Sequence, residues 1–400
     1  MLEQGLAVPA HIPESLVCDF DHVLAPVQSL EPQKTWANRL REKNGDMFFT
    51  PRNGGIWIVQ GAELAVQMLR DNELFSADPK HNEARRFTPK LLPLQADPPD
   101  QGEYRKVLGS FFAPGNVRKM EDNIRVTVNA LIDEIEPRGG CEFVTEFGEK
   151  FPIFVFLKLV GASLDDREEL LSYAAMFTRT ADVKIRTQGT QGLARYLTKL
   201  YAERRNNLGE DVLSRFLLSD FNGRPLNEEE LNGLGTLLFL GGLDTVKSVL
   251  SFVTLYLGRH PEQYARIVQD KSLIPAAVEE LIRISGTSLP ERAVTRDVDY
   301  EGVSLKKGDR VLFFLPFMSF DPHLNDDPNR VDFHREISQH VVFGTGVHRC
   351  AGSHLARLEI RVFLEEWTRR FPTFRLDPAK PAKMGQGSVW TPEEVPILWP

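Results

Sequence analysis

The sequence predicts a mostly α-helical fold with a minor β portion. Apolar residues recur at helical spacing through most of residues 101–219 and 227–284, and again at 351–370. Short β-branched segments, separated by Gly302 and a Lys307-Gly308-Asp309 turn, cluster between residues 292 and 315. No internal repeat, low-complexity tract or Gly/Ser linker divides the chain. One domain is therefore expected over residues 1–400, with 42% hydrophobic residues to build its core. Its β-rich parts are expected near 46–60, 290–318 and 374–400, and its helical parts near 100–285 and 350–370.

In order, residues 36–43 read as a helix, Ile56–Val59 as a strand and 62–69 as a short helix. Residues 76–100 are polar and carry Pro79, Pro89, Pro93, Pro98 and Pro99, the composition of a long functional or mobile loop. Helical patterns follow at 101–112, 116–135, 151–160, 165–180, 188–207 and 212–219. A long helix should start at Asn227, where Glu230 completes a capping box, and run to His260, stopping before Pro261. Residues 275–284 form the next helix. Strands are expected at 292–295, Val298–Tyr300, Val303–Leu305 and 311–315, then a helix at 351–370.

The net charge of −8 argues against general nucleic-acid binding, which needs a basic face. Cys18, Cys141 and Cys350 are far apart and form no Cys-x-x-Cys pair, so a disulfide framework or zinc site is not expected. Residues 1–21 hold no long apolar run, so neither a signal peptide nor a membrane anchor is read there. The apolar stretch 234–257 is interrupted by Gly, Asp, Lys and Ser, which suits a buried core helix. These readings place the chain in the cytoplasm, away from membranes, as a monomer.

The most informative stretch is Phe343-Gly344-Thr345-Gly346-Val347-His348-Arg349-Cys350-Ala351-Gly352. It puts one cysteine at the mouth of a helix, where unpaired N–H groups favour a thiolate. Gly344 and Gly346 slim the loop, so a large flat group can lie against the sulfur, and Phe343 can pack on its ring. A cysteine alone is more often a small buried hydrophobe.

The long helix contains Gly241-Gly242-Leu243-Asp244-Thr245. Two mid-helix glycines cost roughly 1 kcal/mol each relative to Ala, and suit close approach of something flat. Asp244 beside Thr245 is either a proton-passing pair or, on a helix that packs through its glycines, an Asp on the solvated face. Glu280 and Arg283 share a helix face as an ion pair. If a cofactor with carboxylates sits beneath the cysteine loop, Arg105, Arg292 and His348 are the donors to hold them; otherwise each arginine is an exposed, solvated side chain.

Together these motifs resemble the cytochrome P450 family, over nearly the whole chain. Phe343, Gly346, Cys350 and Gly352 match its F-x-x-G-x-x-x-C-x-G pattern. Gly241, Gly242, Asp244 and Thr245 match [AG]-G-x-[DE]-T, and Glu280 with Arg283 matches E-x-x-R. Pro328-Asn329-Arg330 matches its downstream partner. The resemblance implies the P450 fold, a prism-like helical domain with small sheets, and haem b as cofactor. It makes Cys350 the axial iron ligand, a known property of that family. Phe343, Gly344 and Gly352 line the cofactor, and Gln101, Arg105, Arg292 and His348 hold its propionates. Asp244 and Thr245 deliver protons during oxygen activation, while Glu280, Arg283 and Arg330 brace the core beneath the haem.

Within the family, the bacterial camphor 5-monooxygenase group is similar through Leu240-Gly241-Gly242-Leu243-Asp244-Thr245-Val246, Leu305-Lys306-Lys307-Gly308-Asp309, His354-Leu355-Ala356-Arg357 and Asp97-Pro98-Pro99. That likeness implies a monooxygenase that hydroxylates an unactivated C–H bond with O2. Its electrons come from a [2Fe-2S] ferredoxin and an NADH-dependent reductase. Arg105, Lys106, Arg349 and Arg357 are implied as a basic docking face. The chain departs from the group in one respect: residues 1–103 contain no tyrosine to bind a substrate ketone. Leu91, Leu94, Leu237, Leu240, Gly241, Ser288 and Val389 are the pocket candidates, for a compact, weakly polar substrate such as a terpenoid or norisoprenoid. Haem-thiolate peroxygenase or reductase chemistry, or a haem-based sensor, are the alternatives. The Asp244-Thr245 pair and the lack of an output domain count against them.

Overall fold

The computed structural model describes residues 6–82, 86–180 and 182–400. Part of the expected 76–100 loop, residues 83–85, lies outside the described residues. The remainder of that loop carries no regular element longer than the turn at Pro79–His81.

Helices form at Pro32–Asn44, Ala62–Arg70, Asp100–Phe112, Pro114–Arg118, Glu121–Ile135, Lys150–Val160, Arg167–Thr178, Val183–Asn206, Val212–Leu217, Glu228–Leu243, Thr245–Arg259, Pro261–Gln269, Ile274–Ile284, Leu315–Met318 and Ser353–Arg370. The expected helical class is therefore borne out. Local chemistry sets several boundaries. The Asn227 side chain accepts from Glu230 N–H while the Glu230 side chain accepts from Asn227 N–H, the anticipated capping box. Asp182 caps the Val183–Asn206 helix through Lys184 N–H. Gly161 closes the Lys150–Val160 helix in the left-handed region, at φ 65°.

Four expectations need correction. The 116–135 helix is two pieces, because Lys119 and Met120 N–H groups bond three residues back, to Asn116 and Val117, instead of four. The 227–260 helix breaks at Asp244, whose backbone leaves the helical region at φ −125°. Pro261 does not merely end a helix. It opens another, Pro261–Gln269, from the first position, where a missing N–H costs nothing. The last long helix begins at Ser353, so Cys350 lies before it and not in its first turn.

Five strands make the main sheet, in the order Met47–Thr50, Ile56–Val59, Arg310–Phe313, Glu291–Val294, Phe75–Ser76. Only the Ile56–Val59 and Arg310–Phe313 pair is parallel. In register, Trp57 faces Val311, which faces Arg292 on the other side. One apolar cluster under this sheet joins Trp57, Val59, Met68, Phe75, Val311 and Phe313. A larger one fills the helical part, where Phe143, Phe147, Phe363 and Trp367 pack ring to ring at 5.2–5.7 Å. Each such ring contributes roughly 1.5–3 kcal/mol by burial.

Among the described residues, one stretch, Glu228–Arg259, is long and apolar enough to cross a bilayer. The break at Asp244 divides it, and its residues include Leu234, Phe239, Leu243, Leu250 and Val253 of the core.

Candidate functional site

The cysteine loop is built by backbone bonds and by two side chains of the Asp100–Phe112 helix. Gly344 and Gly346 turn the chain at φ 69° and 68°, values that favour glycine. A Cβ at Gly346 would sit 2.9 Å from Leu69 O, so the loop lies directly on the Ala62–Arg70 helix. Cys350 N–H donates to Phe343 O at 2.8 Å. Gln101 Nε2 donates to Val347 O at 2.7 Å, and Arg105 Nη2 donates to Arg349 O.

Cys350 is exposed, yet it is so hemmed in by protein that burial pushes its thiol above the ordinary value. The Gly352 N–H and the charges of Arg105, Arg357 and Arg349 pull the other way. The anticipated helix-terminus lowering therefore does not prevail over burial, and the helix itself starts three residues later. Coordination to a cation is what would ionise this sulfur outright. A Cβ on Gly344 or Gly352 would touch nothing within 4 Å. Accessible sulfur beside open backbone is what a broad flat ligand requires.

Arg292 extends from the Glu291–Val294 strand, buried, with Nη1 donating to Glu291 O at 2.8 Å. His348 ends the turn Gly346–His348. The expected basic docking face is thinner than the sequence implied. Lys106 and Arg349 are exposed, but Arg357 turns inward to Glu279, with Nε 2.6 Å from its Oε1.

Beneath the loop, Glu280 and Arg283 form a fully buried bidentate pair at 2.9 and 2.8 Å. Arg283 also donates to Ser319 O, Pro328 O and Arg330 O. The Arg330 assignment is corrected here. Its side chain is 65% exposed and reaches only Asp332, at 2.5 Å. The second arginine on Glu280 is Arg335, at 3.4 Å, joined by Ser338 Oγ at 2.7 Å and Asp332 N–H at 3.1 Å. Arg330 contributes its carbonyl, and its guanidinium points to solvent.

On the broken helix the two glycines differ. A Cβ on Gly241 would meet nothing within 4 Å, whereas one on Gly242 would lie 2.2 Å from the Phe156 ring. Gly241 therefore borders open space, and Gly242 serves helix packing. Thr245 Oγ1 donates to Gly241 O at 2.8 Å across the break. Asp244 is buried, and its Oδ1 accepts from Arg179 Nη2 at 2.5 Å while Oδ2 has no hydrogen-bond partner. Sequence reading missed Arg179, which lies 65 residues away with no motif around it.

The pocket candidates divide. Gly241 and Ser288 are exposed, Leu94, Leu237 and Val389 half-buried, and Leu240 6% exposed. Leu91 is fully buried in the helical core, which makes it a packing residue and not a lining one. Its N–H donates to Gln95 Oε1 at 2.9 Å. Thr190 Oγ1 to Thr88 O, at 3.1 Å, and Leu92 N–H to Gly233 O, at 3.4 Å, fasten this loop to two helices. Val389 O accepts from Arg179 Nη1 at 3.2 Å, which puts it beside the Asp244 pair.

The family model for cytochrome P450 matches residues 171–398, more than half of the chain. The chain belongs to the cytochrome P450 family. The probable cytochrome P450 127A1 of Sinorhizobium fredii is 29% identical, over 98% of this chain and 97% of that protein. The crystal structure of CYP101J2 superposes with a TM-score of 0.88 at 32% identity, over 98% and 99% of the two chains. That of CYP101C1 does so with 0.87 at 31%, over 98% and 100%. The expected nearness to the camphor group is thus borne out. This P450 is a monooxygenase-type oxidoreductase with haem b as its cofactor, and it works with O2, a substrate and redox partner proteins. The open backbone at Gly344, Gly352 and Gly241 and the accessible sulfur of Cys350 fit that group.

Proposed function

We propose that Cys350 binds the haem iron and that the open faces at Cys350 and Gly241 are two sides of one haem-sized space. The observation behind this reading is an accessible sulfur enclosed by protein, in a loop of glycines that leave room beside it. Arg105, Arg292 and His348 are the groups to hold the propionates, each placed in or against the cysteine loop or the main sheet. Gln101 braces the loop from behind.

Bound haem supplies the oxygen-activating chemistry that inserts one atom of O2 into a C–H bond. The chain supplies the protons and the walls. Thr245 Oγ1 holds a proton at the helix break, where the backbone is open and a hydroxyl can turn from Gly241 O toward the cavity. Asp244 relays protons from water to it, taking each up on its unengaged second oxygen while its first is held by Arg179. Leu94, Leu237, Leu240, Ser288 and Val389 line the substrate and keep water out. They are mostly apolar, and the first tyrosine of the chain, Tyr104, spends its hydroxyl on Glu230 at 2.9 Å. These features favour a compact, weakly polar alicyclic molecule such as a terpenoid or norisoprenoid. Exposed Lys106, Arg349 and Val347 favour an acidic [2Fe-2S] ferredoxin as the electron donor, fed by an NADH-dependent reductase in the cytoplasm.

Cys350→Ser tests the ligand. The ferrous carbonyl complex of the wild type should show the far-red-shifted Soret band of thiolate ligation. An unchanged band in the variant would remove the assignment. A screen for ligands that convert the iron from low to high spin, followed by product analysis, tests the substrate class.

A further inference from the structure

Glu279 stands next to Glu280 but serves a different assembly. From the Ile274–Ile284 helix its Oε1 accepts from Arg357 Nε at 2.6 Å, and its Oε2 accepts from Arg357 Nη2 at 2.9 Å and His340 Nε2 at 3.3 Å. Both of its partners then converge on one ring. The Arg357 guanidinium lies 4.5 Å from the Phe343 ring centroid, and the His340 ring lies 5.9 Å from it, tilted by 55°. Phe343 in turn holds Cys350, whose N–H donates to its carbonyl at 2.8 Å. The assembly closes on itself: one carboxylate, two cationic or polar groups, one ring, one amide, and the sulfur.

The charges matter as much as the packing. Arg357 lies over the Phe343 ring, 4.5 Å from its centroid, and Phe343 O holds the Cys350 N–H, so its positive charge stands on the ligand's own loop. Glu279 stays ionised beside it. Burial opposes ionisation, but hydrogen bonds from His340 and Arg357 hold the carboxyl down at about 2. Its negative charge therefore offsets Arg357 where the sulfur would feel it, in surroundings drier than bulk water. Second-sphere charge and ring placement are levers on a haem's reduction potential.

We propose that Glu279 is a positioning residue for the axial ligand: through Arg357 and His340 it fixes the Phe343 ring and limits the positive charge at the Cys350 sulfur, and so sets the reduction potential of the iron. This rests on the reading of Cys350 as the iron ligand. Reduction adds one negative charge to the iron–thiolate unit, so nearby positive charge favours the ferrous state.

Redox titration of the holoenzyme decides the matter. Glu279→Gln removes the offsetting charge and should raise the potential. Arg357→Gln removes the cation and should lower it. Each shift is expected to be roughly threefold in the ferrous-to-ferric ratio at fixed poise, about 30 mV for a one-electron couple. Opposite signs support the proposal. A purely structural role would move both variants in the same direction, and that result, or no shift in either, overturns it. Should Glu279→Gln fail to hold haem, Arg357→Lys replaces it. A potential near wild type there, beside a lowered one in Arg357→Gln, supports the proposal, and equal potentials overturn it. Failure of the parent reading is separate, because it shows as a Soret band that survives Cys350→Ser.

Discussion

Arg179 and Asp244 are joined at 2.5 Å, and the same guanidinium reaches Val389 O at 3.2 Å. One cation therefore ties the end of the helix Arg167–Thr178 to the broken helix and to the 387–389 segment. Arg179→Met should leave the Asp244 carboxylate buried without its counter-charge. A fully buried pair broken this way loses about 3–5 kcal/mol. Arg179 keeps some solvent contact, so about 1–3 kcal/mol is expected, read as a lowered urea midpoint. Product formed per electron pair supplied should fall as well. Wild-type coupling together with wild-type stability would show that the pair does nothing.

The Glu280 network gives a graded series. Arg283→Met strips a buried carboxylate of its bidentate partner, so it should cost at least about 3 kcal/mol and reduce the yield of folded protein. Arg335→Met removes a weaker contact to Glu280, at 3.4 Å, and the bonds to the Asp326, Asp327 and Arg330 carbonyls, but it leaves Glu280 its bidentate partner, so an intermediate loss follows. Arg330→Met breaks only an exposed pair with Asp332, so it should cost under about 1 kcal/mol. Thermal midpoints should rank Arg330 above Arg335 above Arg283. If Arg330→Met were the worst of the three, the direction of its side chain would be wrong.

These residues show why the sequence told so much of the fold and less of the site. Motifs confined to one loop or one turn, such as Asn227 with Glu230 or residues 343–352, carry their own geometry, so they were legible. Arg330 and Arg335 sit in the same polar loop, and only the direction of each side chain tells which one meets Glu280. The signal that was available, Phe333-His334-Arg335 beside Asp332, has no spacing rule that prefers it over Pro328-Asn329-Arg330. Arg179 and Glu279 act through partners 65 and 78 residues distant, across packed helices, where periodicity says nothing. The break at Asp244 was hidden for another reason: the apolar pattern continues through it, and the backbone changes where the helix borders open space.

Gly241 and Gly242 should separate under a single methyl group. Gly242→Ala forces a Cβ to 2.2 Å from the Phe156 ring, and that ring is pinned edge-on to Phe239 at 5.0 Å. Overpacking of this kind costs roughly 1–3 kcal/mol. Gly241→Ala meets no atom within 4 Å, so its stability should hold or rise by up to ~1 kcal/mol from helix propensity. With Gly241 lining the pocket as proposed, its methyl takes up substrate space, so the substrate-induced spin shift should weaken. A wild-type spin shift in Gly241→Ala would place that residue outside the pocket.

Thr245 offers a test of proton supply that leaves the fold alone. Its hydroxyl donates to Gly241 O at 2.8 Å, and it is only half-buried, so Thr245→Ala should cost little in stability, about 1 kcal/mol. Consumption of the electron donor should continue while product per electron pair drops several-fold and peroxide appears. Thr245→Ser keeps the oxygen, so coupling should largely return. Coupling equal to wild type in Thr245→Ala would remove the hydroxyl from the proton route.

Glu359 predicts a pH dependence of stability. It lies nine residues beyond Cys350, on the Ser353–Arg370 helix, 3% exposed, with Oε2 lacking any hydrogen-bond partner. Burial raises its carboxyl from the ordinary 4.5 to about 8. Below about 4.5 the folded and unfolded states both hold the proton, so stability carries no cost from this group. Between about 4.5 and 8 the unfolded chain releases the proton and the folded chain keeps it. The folded state then binds more protons, and its stability falls as pH rises. Above about 8 the loss is complete, on the order of a few kcal/mol. Glu359→Gln keeps the shape and cannot ionise. Its urea midpoint should match wild type at about pH 5 and exceed it at about pH 8.5, with the gap widening steadily between them. A gap that stays constant, or closes as pH rises, would mean that Glu359 is already ionised in the folded protein at neutral pH and that a charge or hydrogen bond offsets its burial.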